Sequence, residues 1–129
     1  MNNLRVTRSR SKQYQLAFSQ AIAKNDASQV QTLLGSVDVN KPTAWPGRDE
    51  NELLTPIVYA LSNKHVETAS LLVNVSNLEE TDANGRTPLI LAVRQGDEHL
   101  IHALLEAGAN VNASDQKGGT VLMHAAYGN

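Results

Sequence analysis

Apolar residues between positions 84 and 106 recur at the spacing of two short helices separated by a polar break. In the first block Leu89, Ala92 and Val93 stand three and four positions apart, which places them on one face of a helix. Between polar residues of the second block, apolar side chains recur at the same spacing, at Leu100, Ile101, Leu104 and Leu105. Helices this short are marginal alone, so the pattern predicts that the pair packs against a neighbouring copy.

The residues around the first helix indicate where it begins and ends. Thr87 can cap the amino end with its hydroxyl, and Pro88 suits the first turn because the N–H it lacks would have no partner there. Gly96 is the residue type that ends a helix in the left-handed conformation. Asn84-Gly85 is a strong turn dipeptide. The stretch therefore predicts a turn, a capped short helix and a glycine stop.

This unit recurs along the chain at a period of about 33 residues, which is within the range of known structural repeats. Thr87-Pro88 is matched by Thr55-Pro56 upstream and by Thr120-Val121 downstream. Asp82 with Asp115 and Gly85 with Gly118 keep a spacing of 33 residues. At equivalent positions of the repeats, Ala92 aligns with Ala60 and Ala125, and Leu104 aligns with Leu72. A fixed period in this range is typical of a solenoid of stacked repeats.

The chain resembles the ankyrin-repeat family, whose 33-residue unit is a turn followed by two helices with a T-P-L-H-x-A motif. The resemblance implies an all-α repeat solenoid of helix-turn-helix units joined by hairpin-like loops. We place a basic tail at residues 1–13 and the repeat domain at 14–129. The repeats fall at about 14–40, 50–81, 82–114 and, incomplete, 115–129, with an inserted loop at 41–50. The motif histidine is replaced by Val58, Ile90 and Met123, which leaves the hydrogen bonds it supplies in question.

The same resemblance implies a protein–protein interaction module that needs no cofactor or metal and has no catalysis of its own. Such proteins bind partners through a concave face made of hairpin tips and first helices. Carried over position by position, the partner-binding residues are Asn51, Glu52, Leu54, Ser62, Asn63, Ala83, Asn84, Arg86, Arg94, Gln95, Ser114, Gln116, Lys117, Gly119 and Tyr127. Arg86, Arg94 and Lys117 form a basic strip, for which we expect an acidic or carboxylate-bearing partner.

The inserted loop 41–50 contains two prolines, a glycine and the only tryptophan of the chain. Insertions in repeat arrays tend to lie on the binding face, and tryptophan is enriched in binding hot spots. Trp45 is therefore a candidate partner-binding residue. The alternative is that it folds back and covers the core of the first repeat. We predict that its side chain is at least half exposed.

The fourth repeat stops at residue 129, which aligns with Gly96 at the end of a first helix. Terminal repeats normally carry a polar outer face, whereas "TVLMHAAYGN" is largely apolar. One interpretation is that these residues are the amino-terminal targeting or regulatory part of an enzyme or effector whose catalytic domain lies beyond residue 129. The other is that the exposed end self-associates or holds a partner.

The formal net charge of −2 is unevenly distributed. Four bases and no acid lie in the first 12 residues, whereas the other seven bases share residues 13–129 with all 13 acids. The basic segment, which holds Arg5, Arg8, Arg10 and Lys12, could contact nucleic acid, anionic lipid or an import receptor. Because four charges give little affinity at physiological salt, we expect a solvated, partly disordered tail and do not expect nucleic acid as a partner.

Other classes of site find little support. No apolar run is long enough to cross a membrane, and the apolar stretch near residues 16–24 is too short and broken for a signal peptide. His99 and His102 stand at a spacing that can bind metal, but no third ligand is near. The chain has no cysteine and no recognisable nucleophile–base set. We expect a cytoplasmic location, or host-cell cytosol or nucleus if the source is an intracellular bacterium.

Overall fold

The computed structural model describes the backbone of residues 3–127 and the side chains of residues 11–127. Over this backbone the chain forms seven α-helices, one 3₁₀ turn and a two-stranded antiparallel sheet. In chain order the elements are α1 (Asn3–Ala23), α2 (Ala27–Leu33), the 3₁₀ turn (Leu34–Ser36), β1 (Thr43–Ala44), β2 (Leu53–Leu54), α3 (Pro56–Ser62), α4 (Val66–Leu72), α5 (Pro88–Gln95), α6 (Glu98–Glu106) and α7 (Val121–Tyr127).

The helices form two layers. The first helices of the repeats, α1, α3, α5 and α7, pack side by side in one layer, and the second helices, α2, α4 and α6, pack in the other. Each second helix also packs against the first helix of its own repeat. This arrangement confirms the predicted all-α repeat solenoid. Of the helices within the described residues, none has the length and apolar character needed to span a bilayer.

Helix α5 begins and ends as its flanking residues predict. The Thr87 hydroxyl accepts a hydrogen bond from the Ile90 N–H at 3.3 Å, and Pro88 is the first helical residue. Gly96 closes the helix with a φ of +71°. At the same point of the first two repeats Asn25 and Lys64 adopt φ values of +54° and +59°. The left-handed stop is therefore kept even where a side chain makes it less favourable.

One continuous apolar core runs through the first three repeats. The predicted helical stripe of α5 is buried, as are Leu100 and Leu104 of α6. Leu105, however, is 42% exposed. The buried face of α6 is therefore narrower than its apolar pattern predicts. The largest fully buried side chains are Phe18, Ile22, Val30, Leu54, Ile57, Val58, Leu61, Leu72, Leu89, Ile90, Leu100 and Leu104. At two of the motif-histidine positions, Val58 and Ile90 thus replace a hydrogen-bonding side chain with packing.

Polar contacts also join the first two repeats. The His65 Nδ1 lies 2.9 Å from the Ile22 carbonyl oxygen, so this nitrogen carries the hydrogen and donates it. The Thr68 hydroxyl donates to the Asn25 side-chain oxygen at 2.7 Å. A histidine outside the family motif therefore supplies an inter-repeat hydrogen bond here.

The inserted loop folds back on the helices instead of standing free. Thr43 pairs with Leu54 and Ala44 with Leu53 in the β1–β2 sheet. The indole of Trp45 is 3% exposed, donates from Nε1 to the Leu54 carbonyl oxygen at 2.9 Å, and stacks on the Tyr59 ring with centroids 4.1 Å apart. The prediction that Trp45 is at least half exposed is wrong, because strand pairing brings its large apolar ring over α3, where burial is favourable.

Leu54 needs a second correction. It was expected to contact a partner, yet its side chain is 1% exposed and belongs to the core. Successive side chains of a strand point to opposite faces. In β2 the inward position is therefore Leu54, and Leu53 is the exposed one at 57%.

The two ends of the array differ from its middle. Helix α1 begins at Asn3, so the backbone of most of the segment predicted as a tail is helical. The side chains of residues 1–10 lie outside the described residues, and the predicted solvated tail with its boundary at residue 13 stays a prediction. Helix α7 has no buried residue between Val121 and Tyr127. Its Leu122 and Tyr127 are 80% and 89% exposed.

Candidate functional site

The loops before α5 and α7 form the same tight turn, organised by an aspartate. In the third repeat, Asp82 Oδ1 accepts from the backbone N–H groups of Asn84 and Arg86, both at 2.9 Å. Its backbone N–H donates to the Arg86 carbonyl oxygen at 3.1 Å. Its carbonyl oxygen accepts from Gly85, whose φ is +76°. The turn therefore depends on both the aspartate side chain and the glycine backbone.

The fourth repeat reproduces this turn. Asp115 Oδ1 accepts from the Lys117 and Gly119 N–H groups at 3.0 and 2.7 Å. The two turns are also joined directly, because the Gln116 N–H donates to the Asn84 carbonyl oxygen at 3.0 Å. A side chain at Gly85 would meet Gln116 at 2.9 Å. The glycine thus serves both the positive φ and the close approach of the neighbouring repeat.

The second repeat contains a related turn that the sequence comparison missed. Asp49 Oδ1 accepts from the Asn51 N–H at 2.8 Å, and its carbonyl oxygen accepts from the Glu52 N–H at 2.9 Å. Asp49, Asp82 and Asp115 are evenly spaced along the chain, at the period of the repeat. The even spacing of the three aspartates could have predicted this turn from the sequence. It was missed because the repeats were aligned on Thr55-Pro56 and Thr87-Pro88, which lie slightly closer together than the aspartates that precede them.

The second oxygen of each turn carboxylate takes a different partner in the last two repeats. Asp82 Oδ2 binds Arg86 Nε at 2.8 Å, and Asp115 Oδ2 binds His124 Nε2 at the same distance. Gly119 occupies the position that corresponds to Arg86. A Cβ there would lie 2.8 Å from Asp115 Oδ2 and 3.0 Å from His124 Nε2. The missing side chain therefore makes room for the histidine.

His124 continues this contact to the preceding repeat. Its Nδ1 lies 3.3 Å from Nη1 of Arg94. Arginine can only donate, so the Nδ1 accepts, and the hydrogen is on Nε2, which donates to Asp115. The pKa of the Asp115 carboxyl is lowered by the Gly119 N–H above all, then by the His124 side chain, whereas desolvation opposes the shift. The result is a chain of contacts from carboxylate to neutral imidazole to guanidinium.

Two adjoining cavities lie between these turns and the first helices. They measure about 310 and 250 Å³, and both are lined by Asn84, Arg86 and Arg94. We call them together the central groove. The larger cavity is completed by Asp115, Gln116, Lys117 and His124. The smaller cavity is completed by Arg48, Glu52, Ser62, Asp82, Leu91 and Gln95.

The central groove collects about half of the residues predicted to bind a partner. Those that line it are Glu52, Ser62, Asn84, Arg86, Arg94, Gln95, Gln116 and Lys117. Others lie on the surface outside its lining: Asn51, Asn63, Ala83, Ser114 and Tyr127, which are all exposed, and Gly119, which is half-buried. The amide of Gln95 donates from Nε2 to the Leu61 carbonyl oxygen, so it also ties α5 to α3. Lining residues that the prediction missed are Arg48, Asp82, Leu91, Asp115 and His124.

The cations of the groove fall into two groups. Arg48 is paired with Glu52 at 3.1 Å, and Arg86 is paired with Asp82. Among the described residues, no carboxylate lies within 4 Å of the charged groups of Arg94 or Lys117. Both of these side chains are exposed. The larger cavity therefore presents two cations whose charge is available to a ligand.

The Asp115–His124 pair invites comparison with a catalytic dyad. In such a dyad the second imidazole nitrogen faces a nucleophile. Here that nitrogen accepts a hydrogen bond from Arg94. The arrangement is therefore suited to positioning a guanidinium and to binding.

The described residues do not bring together three potential metal-ligating side chains. His99 and His102 are both exposed on α6, in the layer of second helices. No residue of α6 lines the central groove, so these two histidines lie apart from it.

Comparison with known proteins finds repeats of the same kind. A family profile described as ankyrin repeats matches in three copies, over residues 18–115 and 76–129. Human M-phase phosphoprotein 8 is 33% identical over 92 residues, which is 64% of this chain and 11% of that protein. A putative E3 ubiquitin-protein ligase of Arabidopsis thaliana is 49% identical over 70 residues, 51% of this chain and 19% of that protein.

A third relative is the human transient receptor potential cation channel subfamily A member 1. It is 37% identical over 78 residues, 57% of this chain and 7% of that protein. The matched segments thus span less than a fifth of each of these three relatives. The names of these three relatives describe proteins of different kinds. The part of this chain that resembles them consists of the repeats.

Proposed function

Because the chain belongs to the ankyrin-repeat family, we propose that it binds a partner protein through the central groove and performs no catalysis of its own. The family supports a protein-interaction module. The observation that carries the proposal for this particular surface is the pair of adjoining cavities shared by Asn84, Arg86 and Arg94. Turns and first helices of three successive repeats meet there. In the proposal this groove is part of the concave face expected from the sequence.

The charges of the groove favour a partner that presents acidic groups. Arg94 and Lys117 have no carboxylate within salt-bridge distance among the described residues, whereas the other two arginines are already paired. Complementary charge steers association and selects the partner. Arginine is also one of the residue types that dominate binding energy when buried in an interface. An intracellular site of action is part of the same proposal.

Affinity capture with charge-matched variants tests this proposal. The groove variant carries Arg94→Glu and Lys117→Glu. The control carries Lys24→Glu and Lys64→Glu, which make the same change of charge at exposed positions outside the groove lining. Circular dichroism establishes that both fold. We expect a protein from the source-cell lysate to be retained by the parent and the control and lost by the groove variant.

Two outcomes would contradict the proposal. A partner retained equally by the parent and the groove variant would place binding elsewhere on the chain. A partner lost by both variants would indicate an effect of net charge alone. Each result is read from the same mass-spectrometric comparison.

We also propose self-association through α7, because Leu122, Met123 and Tyr127 are 80%, 50% and 89% exposed. Exposed apolar patches of this kind mark interaction sites. Sedimentation velocity should show a mass that rises with concentration and falls in a Leu122→Ser, Tyr127→Ser variant. A monomer at every concentration tested would exclude it.

A further inference from the structure

We propose that the larger cavity of the central groove binds a single carboxylate group, with the guanidinium of Arg94 as its anchor. The inference rests on the proposed function, because it specifies the chemistry that the groove recognises in the partner. Three features of the cavity carry it: the free donors of Arg94, the charge of the lining, and the contacts that hold Arg94 in place.

Arg94 has donors to spare. A guanidinium carries five N–H donors and no acceptor. The contact with His124 Nδ1 engages Nη1, and no carboxylate among the described residues lies within 4 Å of the group. Arg94 is exposed and lines both cavities of the groove. Its planar fork matches two oxygens of one carboxylate, which is the geometry of the strongest arginine–carboxylate pairs.

The charge of the lining favours a monoanion. Arg86, Arg94 and Lys117 are the cations of the larger cavity, and Asp115 is its acid. Asp82 binds Arg86 at 2.8 Å and neutralises a second positive charge. When Asp82 is counted with the lining residues, three cations and two carboxylates leave about one net positive charge. One carboxylate would balance this charge, whereas a doubly charged phosphate would exceed it and face the Asp115 carboxylate.

Asp115 and His124 act as positioning residues for the anchor. The Asp115 Oδ2–His124 Nε2 contact of 2.8 Å orients the imidazole, and its accepting Nδ1 meets Arg94 Nη1 at 3.3 Å. Both partners of that first contact are largely buried, with side chains 11% and 13% exposed. Because the imidazole is neutral when it accepts, it holds the guanidinium without adding charge to the cavity.

The carboxylate can come from an acidic side chain or from the end of a chain, and three peptides distinguish these sources. The first is acetyl-Ala-Ala-Glu-Ala-Ala-amide. The second replaces its glutamate with glutamine, and the third has that glutamine and a free carboxyl terminus. Each is titrated into the ¹⁵N-labelled full chain. The readouts are the side-chain Nε–Hε signal of Arg94 and the backbone signals of Gln116 and Lys117.

We expect saturable shifts of these signals with the first or the third peptide, and none with the amidated glutamine peptide. Arg94→Gln should raise the dissociation constant by about tenfold or more, since hydrogen bonds to a charged group are lost. Arg94→Lys should give an intermediate loss, because it keeps the charge without the fork. Lys24→Gln, which removes an exposed charge outside the groove, should bind as the parent does. Circular dichroism checks the fold of each variant.

Positioning by His124 has its own readout. His124→Gln should weaken peptide binding less than Arg94→Gln does, and it should shift and broaden the Arg94 Nε–Hε signal before any peptide is added. An unchanged Arg94 signal in that variant would overturn the positioning role.

Three results would overturn the carboxylate site itself. The first is equal binding of the amidated glutamine peptide, the second is binding that survives Arg94→Gln, and the third is absence of binding by all three peptides. If groove-dependent capture of a protein still occurs in that case, the proposed function stands and only the carboxylate inference fails.

Discussion

At the scale of single residues, Thr55 and Thr87 occupy the same position of successive repeats, yet only one of the two hydroxyls caps its helix. Thr87 Oγ1 accepts from the buried Ile90 N–H. Thr55 Oγ1 is buried and has no hydrogen-bond partner among the described residues. The same Thr-Pro dipeptide therefore provides a helix cap in the third repeat and an unsatisfied hydroxyl in the second.

This contrast predicts opposite effects for one substitution. Thr87→Val should lower the free energy of unfolding by about 1 kcal/mol, the usual cost of losing a side-chain cap. Thr55→Val should leave stability unchanged or raise it by up to about 1 kcal/mol, because an unsatisfied buried hydroxyl is replaced by a methyl group. Urea denaturation of both variants measures the difference. Equal losses would contradict the assignment of the cap.

Asp115 predicts a pH dependence of stability. Its carboxyl pKa is lowered in the folded chain, chiefly by the Gly119 N–H and then by His124. A lowered pKa means that the folded state prefers the ionised carboxylate. The stabilisation is therefore fully present above the ordinary pKa of aspartate, near 3.8, and is lost as pH falls through the lower folded value.

Comparison of Asp115→Asn with the parent checks the sign. The variant should be less stable at neutral pH, and the gap should shrink as the pH is lowered from above to below the ordinary aspartate range. Urea denaturation across that range provides the measurement. A gap that stays constant or grows on acidification would show that ionisation of Asp115 does not contribute.

At the scale of elements, the sequence predicts well what local chemistry decides. The Thr87 cap, the Pro88 start and the Gly96 stop of α5 depend on residues within one helix, and all three are confirmed. Trp45 was predicted wrongly because its burial depends on a pairing between two segments that are separated along the chain. His124 was overlooked because its contacts come from another turn and another repeat, and they require a glycine where the preceding repeat has an arginine.

The inserted loop predicts a measurable contribution to stability. Trp45→Ala removes a buried indole and should lower the free energy of unfolding by about 3–5 kcal/mol. Trp45→Phe keeps an aromatic ring beside Tyr59 but leaves the Leu54 carbonyl oxygen without its donor, so it should cost about 1–3 kcal/mol. Thermal and urea denaturation give both values.

Fluorescence provides an independent check, because Trp45 is the only tryptophan of the chain. The native emission should be blue-shifted and should move to the red on unfolding. Native emission at the wavelength of a solvated indole, with little loss of stability in Trp45→Ala, would contradict the packed loop.

At the scale of the whole molecule, stability should fall along the array toward α7. Helix α5 packs against α3, α6 and α7, and most of its side chains are buried. Helix α7 packs against α5 and buries none of its residues between Val121 and Tyr127. Elements with few buried apolar contacts open at low free-energy cost. The core of the array and its last described helix are thus expected to open separately.

Amide hydrogen exchange measures this difference directly. At low protein concentration, the amides of α7 should exchange faster than those of α5 by a large factor. The exchange of α3 and α5 should be alike, since both are buried in the middle of the array. Equal protection of α5 and α7 would show that the array opens as one cooperative unit.

The central claim is that the partner occupies the groove between the turns and the first helices, and site-specific photo-crosslinking tests it most directly. A benzoylphenylalanine is placed at Gln116, which lines the groove and leaves both available cations in place, or at His99, which is exposed on α6 in the other layer. Irradiation with the captured partner should give a covalent adduct from position 116 and none from position 99. Adducts from position 99 alone would mean that the partner binds the layer of second helices and that the groove is not the binding site.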